Sequence, residues 1–355
     1  MKTLVLNRRL MAAQVLFATC IAVTVGVLGV PDPSKTDFAM LWAAQHVAHP
    51  YDPSLISQAT RSNSEGFFPY APPFLLLIVP LAWVTLSAGY LLWLGLAASA
   101  IVVSLRRLSA PLVLMVPVVF PAAIVGQTSL FMAACLFGAA TLTKRPWLAG
   151  VLLAVAACIK PQVGVFIPLV LLASRQWAVI AWAAGVAAAL CALSTLIYGP
   201  GIWGDWLHSL PEWLRVNDKV WSGRYLSLPG GWKVAAAVVG AVAAWYAGRR
   251  GQIELGLLIA IAAALLSSLH AMDYDAAILA PFALAAALRR GWKGAPYLVA
   301  IFLPASPWSV LALGVFAIVD VAVGREAETS DRSSARGIRS WRLLQGRGPA
   351  TEEPR

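Results

Sequence analysis

The chain has 355 residues, of which 60% are apolar and 12% charged, with a net charge of +11. An ordinary soluble domain carries about 25% charged residues, so the composition excludes one, and the absence of period-two alternation excludes a membrane β-barrel. The basic residues sit in small groups at the ends of apolar runs, which is how topology signals are distributed and not how a nucleic-acid surface is built. The expected fold class is therefore an all-α, polytopic integral membrane protein.

Residues 10–30 form the first predicted span. Lys2, Arg8 and Arg9 precede it and place its N-terminus in the cytoplasm. A small-residue cleavage site is lacking and further spans follow, so it reads as a retained helix and not as a signal peptide. Residues 31–73 form a long polar loop on the external side. Within it, Pro31-Asp32-Pro33-Ser34 and Tyr51-Asp52-Pro53 are turn formers, and residues 37–49 are expected to form a short interfacial helix with Thr36 as its N-cap.

The uncharged run 74–105 is too long for one upright span and is divided by Pro80. Residues 74–86 are read as entering or lying on the outer leaflet, and 89–105 as the second span, running inward to Arg106-Arg107. Charge parity then alternates along the chain. Residues 112–125 run outward to Gly126-Gln127, 130–142 inward to Lys144-Arg145, 147–159 outward to Lys160-Pro161-Gln162, and 163–173 inward to Arg175. Residues 177–198 lead out to a second external loop, 199–232. Residues 233–246 return to Arg249-Arg250, 255–269 emerge at His270, and 274–288 return to Arg289-Arg290. Residues 295–323 are either one long span or a hairpin folded at 304–307, and the basic tail prefers the hairpin. Eleven or twelve spans result. Residues 325–355 read as a disordered, basic cytoplasmic tail. Cys20, Cys135, Cys158 and Cys191 all lie in apolar runs, without the spacing of a disulfide framework or a zinc site.

This orientation was set by Arg and Lys alone. It gathers Asp37, Tyr70, Gln127, Lys160, Gln162, His270, Asp273 and Asp275 at the external face. Asp37 is a candidate general base, since a carboxylate near a low-dielectric surface has its pKa raised toward neutrality; a solvated loop acid or a helix cap is the plainer alternative. Lys160 directly precedes Pro161, where a helix breaks. It either meets an anion such as a lipid phosphate or snorkels to water. His270, Asp273 and Tyr274 share a face if a helix has begun, whereas Asp275 points elsewhere. Such a pair suits a phosphate, a sugar hydroxyl or a metal, though the spacing is not that of a zinc motif, and a polar helix end has the same pattern. Gln127 suits sugar hydroxyls or an interhelical hydrogen bond. The second loop carries Trp203, Trp206, Trp213, Trp221 and Trp232, together with Arg224 as a further phosphate candidate. No glycine-rich phosphate loop or nucleophile elbow is present.

In this order the residues resemble the family 87 glycosyltransferases, bacterial polyprenyl-phosphate-dependent mannosyltransferases of the GT-C superfamily. The resemblance rests on Asp37 followed by Trp42-Ala43-Ala44, then Pro50-Tyr51-Asp52, Pro69-Tyr70-Ala71-Pro72-Pro73-Phe74 and Pro80-Leu81-Ala82. It continues through Gly126-Gln127, Ile159-Lys160-Pro161-Gln162 and residues 267–275. It implies a membrane-embedded, inverting transferase in residues 1–324, built as a GT-C-type bundle. The donor would be a hexose, mannose in this family, on a polyprenyl monophosphate, and the acceptor a lipid or glycan. Asp37 matches the family's catalytic carboxylate, and Lys160 and His270 fall where phosphate and donor contacts are expected. Gln162, Asp273, Arg224 and Gln127 complete the expected donor side, and Trp42 and Tyr70 the acceptor loop. No cofactor and no metal are implied. Membrane lipids are the remaining partners, and the bacterial inner membrane, with the site facing the periplasm, is the implied location. The usual Tyr-Pro-Pro reads Tyr70-Ala71-Pro72-Pro73 here, and His49-Pro50 stands where a Gly usually precedes the Tyr-Asp pair. The competing class is a transporter or lipid flippase without transferase activity.

Overall fold

The computed structural model describes residues 32–60, 66–104, 113 and 116–323. The first predicted span, the Arg106-Arg107 pair and the basic tail lie outside the described residues. Among the described residues all regular elements are helical, and an isolated antiparallel bridge joins Tyr225 to Met272.

The external loop contains two short helices, α1 (Asp37–Ala43) and α2 (Pro53–Thr60). The helix expected over 37–49 thus stops at Ala43. Thr36 stands at the N-cap position of α1, but its hydroxyl donates backward to Pro33 O at 2.7 Å and caps nothing. The run 74–105 is divided as expected, and the segment before Leu86 is itself broken, into α3 (Pro72–Leu77) and a 3-10 turn, Val79–Trp83. Helix α4 (Leu86–Ser104) follows.

Next come α5 (Val119–Ile124), α6 (Ser129–Thr141) and α7 (Pro146–Ile159). The chain breaks at Lys160-Pro161, passes through a 3-10 turn, Pro161–Gly164, and resumes as α8 (Ile167–Ala173). Proline removes a donor and forces the residue before it out of helical geometry, and Lys160 sits at φ −139°, ψ 83°. Helix α9 (Trp177–Tyr198) is followed by α10 (Gly201–Trp221). Most of the expected second external loop is thus one amphipathic helix, with Pro211 inside it. Helices α11 (Gly231–Arg249) and α12 (Ile253–Ser267) precede a 3-10 segment, Asp273–Leu279, that runs into α13 (Ala280–Arg290). Residues 295–323 are a hairpin of α14 (Ala295–Phe302) and α15 (Pro307–Val323). Its arms are pinned by Tyr297 against Phe316 and by the Tyr297 hydroxyl donating to Asp320 Oδ2 at 2.7 Å.

Helix α12 is the centre. Residues 256–266 are all buried, and apolarity all round a helix is the mark of one enclosed by others. It packs on α11, α8, α6, α13 and the Asp273–Leu279 segment. Gly240 of α11 lies so close to Ala263 of α12 that a Cβ there would collide with it, the small-residue contact that lets helix backbones approach. A second row runs α4, α6, α7, α9.

Among the described residues two helices, α4 and α9, are long and apolar enough to cross a membrane, and several shorter apolar helices accompany them. Only 6% of the apolar window of α9 is buried. Helix α11 exposes Val234, Val238, Val239 and Val242. Contiguous apolar surface of this kind is unfavourable in water and unremarkable against hydrocarbon.

Candidate active site

The site is assembled at one end of the bundle, beginning with how Asp37 is held. Asp32 accepts from Ser34 N at 3.0 Å and Ser34 Oγ at 2.8 Å, which tightens the turn before α1. Phe38 is fully buried, with its ring 5.8 Å from both Tyr90 and Trp93 of α4. Its backbone N–H donates to Val125 O at 3.2 Å. Gly126, at φ 70°, passes directly beneath: a Cβ there would lie 2.5 Å from Phe38 Cβ. Tyr90 Oη donates to Ile124 O at 2.5 Å and Trp93 Nε1 to Gly126 O at 3.0 Å. The 124–127 turn is thus fixed between α1 and α4, and Gln127 is delivered to Asp37. Gln127 Nε2 donates to Asp37 Oδ2. Its other amide atom, Oε1, is buried without a hydrogen-bond partner among the described residues.

The floor comes from residues distant in sequence. Thr128 and Ser129 are fully buried at the start of α6. Thr128 Oγ1 lies 3.4 Å from Tyr70 Oη. Ser129 Oγ donates to Asp275 Oδ1 at 2.7 Å, and Lys160 Nζ donates to the same oxygen at 2.5 Å. Met272 N donates to Asp275 Oδ2 at 3.2 Å. The Lys160 ammonium also sits 5.2 Å from the Tyr274 ring. Burial opposes the charge on Lys160, but Asp275 outweighs it, so Lys160 stays protonated with its pKa raised.

The rim is formed by α10 and the chain after α12. Arg224 grips Asp273 with two hydrogen bonds, Nε at 2.7 Å and Nη2 at 2.9 Å. Leu226 N donates to Ala271 O at 2.8 Å, which ties this strap to the turn after α12. His270 lies between Trp213 and Tyr225, with ring centroids 4.2 Å and 5.1 Å away. Burial pushes the His270 imidazole down to about 4, so it is neutral at pH 7. Its Nδ1 is buried without a partner among the described residues. Helix α10 also reaches the first loop, where Trp206 Nε1 donates to Pro69 O at 3.2 Å.

Asp37 is half-buried, and removal from water raises its pKa above the ordinary carboxylate value. The Gln127 hydrogen bond and the charges of Lys160 and Arg224 act in the opposite direction, and Asp275 adds to the rise. Asp273 and Asp275 are each bound to a cation, whereas Asp37 is hydrogen-bonded to a neutral amide. A carboxylate in that state can accept a proton from a hydroxyl brought beside it. Among the described residues no three His, Cys, Asp or Glu side chains gather as a metal-holding group.

The structure therefore brings together Asp37, Gln127, Tyr70, Lys160, Asp273, Arg224 and His270. Two expected residues stand apart. Gln162 is exposed on the Pro161–Gly164 turn. Trp42 turns its ring onto His46, at 3.9 Å, and its indole N–H to Val84 O, at 2.9 Å. The expectation for Asp275 is corrected. The helix begins at Asp273, after His270, and as a 3-10 turn, so spacing counted from His270 misplaced Asp275; it points inward to Lys160. Thr128 and Ser129 were missed as well. The signal available was the polar run Gln127-Thr128-Ser129 between two apolar segments.

A family model described as glycosyltransferase family 87 matches residues 67–272, more than half of the chain. The matched segment contains Tyr70, Gln127, Lys160, Arg224 and His270, while Asp37 precedes it. No curated protein and no solved structure matches the chain significantly.

Proposed function

The chain belongs to glycosyltransferase family 87, and from that premise we propose that it transfers a hexose, mannose first among the candidates, from a polyprenyl-phosphate donor. The acceptor is a lipid or glycan hydroxyl, and the protein is a multispan bundle in a bacterial inner membrane with the Asp37 end facing the periplasm. The apolar exposed faces of α9 and α11 support the membrane placement. So does the ordering of charge. Lys144-Arg145, Arg175, Arg249-Arg250 and Arg289-Arg290 stand at the ends of α7, α8, α11 and α13 remote from Asp37.

In the proposed reaction Asp37 takes the proton of the acceptor hydroxyl. The oxygen attacks the anomeric carbon from the face opposite the phosphate, and the configuration inverts. The lipid phosphate departs toward Arg224, whose guanidinium is part-exposed at the rim, while buried Lys160 supplies fixed positive charge behind it. Fixed cations stabilise a monophosphate leaving group, so the scheme needs no metal. His270, being neutral, serves as a hydrogen-bonding group and not as a counter-ion. Gln162 has no part in this scheme.

The observation that carries the proposal is Asp37 itself: a carboxylate with a raised pKa, held by a neutral amide, within the field of two cations. Membranes containing the full chain, given labelled polyprenyl-phosphate mannose, should transfer label to an endogenous acceptor. Absence of transfer with mannose and glucose donors alike would overturn it. A transporter gathers charge at mid-membrane in both halves, whereas here the carboxylates of the site collect at one end.

A further inference from the structure

The C-terminal ends of α8 and α11 meet at the arginine-rich end of the molecule, around a cavity of about 310 Å³. That volume is at the small end of the ligand-pocket range, roughly 300–1,000 Å³. Its walls are Ala173, Ser174, Arg175, Gly248, Arg249 and Gly251. Among the described residues no carboxylate lines it. Among the described residues neither Arg175 nor Arg249 is in an ion pair.

Both helices stop in the same way. Gln176 N donates to Leu171 O at 2.8 Å, and Gln252 N to Ala247 O at 3.0 Å. Each loop turns through one left-handed residue. After α11 that residue is Gly251, at φ 70°; after α8 it is Arg175, at φ 57°. Glycine takes this conformation freely and arginine does not. Arg175 is the one non-glycine residue with positive φ among the described residues. A strained arginine where the sister turn uses glycine points to a use for the guanidinium. The backbone bonds of the two turns already engage helix-end carbonyls, which reduces the negative charge facing the cavity.

The surroundings suit a lipid. Val242 and Trp245 are exposed on the last turns of α11, and Trp177 is exposed two residues after Arg175. Tryptophan at such a position marks the level of lipid headgroups, and guanidinium groups bind phosphate oxygens in pairs. We propose that this cavity binds the phosphate headgroup of an anionic phospholipid, a site remote from the Asp37 end. The proposal rests on the membrane placement given above.

The test uses the purified full chain in neutral detergent, titrated with phosphatidylglycerol, phosphatidylcholine or inorganic phosphate while the thermal unfolding midpoint is read. Phosphatidylglycerol should raise the midpoint at a concentration at least about tenfold lower than phosphatidylcholine. The double variant Arg175→Gly, Arg249→Ala should cut that preference below about twofold. Because Arg175→Gly relieves the backbone, the lipid-free midpoint should not fall. Transfer by the variant in neutral lipid should equal that of the parent chain, so loss of lipid preference and failure of the transferase assignment read out separately. Equal effects of the two lipids, a preference surviving in the variant, or inorganic phosphate matching phosphatidylglycerol would each overturn the proposal.

Discussion

The two ends of α12, roughly 22 Å apart at 1.5 Å per residue, carry polar clusters of opposite character. At the arginine end, Arg290 pairs with Asp320 at 2.5 Å and Arg289 pairs with Glu254. Arg250 donates to Val321 O, fastening α15 to the end of α11. Among the described residues one amide oxygen, Gln252 Oε1, is unmatched there, but Glu254 and Asp320 each have an arginine. At the other end the pairing is incomplete. Asp275 and Asp273 are matched, Asp37 is bonded to an amide, and among the described residues Gln127 Oε1 and His270 Nδ1 are buried without partners. The first arrangement closes helix ends against one another. The second leaves one carboxylate, Asp37, without a cation of its own beside two that are matched.

The comparison breaks most sharply at Asp37. Asp37→Asn should lower transfer by about 10²–10⁴-fold, the usual contribution of a general base. It should not lower the unfolding temperature. The sign follows from the raised pKa: the folded state favours the protonated carboxyl, so Asp37 contributes stability at low pH that is lost as pH rises through its folded value. At neutral pH an uncharged amide removes that cost. Transfer by the parent chain should fall on the acid side through the same raised pKa, read from a pH–rate profile. An inactive Asp37→Asn protein that is also markedly less stable would return Asp37 to the class of fastening residues.

The buried pair gives the next largest effect. Lys160→Ala strands Asp275, and removing one member of a buried pair costs about 3–5 kcal/mol. The double change Lys160→Met, Asp275→Leu should cost less than the single one, measured by chemical unfolding in detergent. A smaller effect belongs to Gly126. Gly126→Ala puts a side chain at φ 70° and against Phe38, a strain of about 1–3 kcal/mol. Because Phe38 adjoins Asp37, transfer should drop by more than stability does.

Much of this was legible in the sequence, for physical reasons. The 177–198 span coincides with α9 because its ends are set by an aromatic border and a glycine at φ 81°. The break at Lys160-Pro161 follows from proline stereochemistry alone. Charge parity placed Asp37, Lys160 and His270 at one end before any contact was known. What stayed hidden was pairing across distance. Lys160 and Asp275 are 115 residues apart, and nothing local in either says that they meet. Periodicity also misled where the helix type changed, since Asp273–Leu279 is a 3-10 turn and helical faces counted from His270 do not apply. Helix α10 lay within the expected second external loop, although Trp206 and Trp213 stand seven residues apart on one helical face.

The smallest expected effect falls at the arginine end and sharpens the contrast from that side. Glu254 opens α12, and its pairing with Arg289 is half exposed, with side-chain exposures of 26% and 51%. Water screens such a pair, and exposed pairs contribute about 0–1 kcal/mol. Glu254→Gln keeps the shape and a hydrogen-bonding oxygen, so the loss in chemical unfolding should stay under about 1 kcal/mol. Transfer should be unchanged, because α12 separates Glu254 from Asp37 by its full length. A strong loss of transfer from Glu254→Gln would mean that the two ends are coupled through α12, and that the division between a fastening end and a reacting end is wrong.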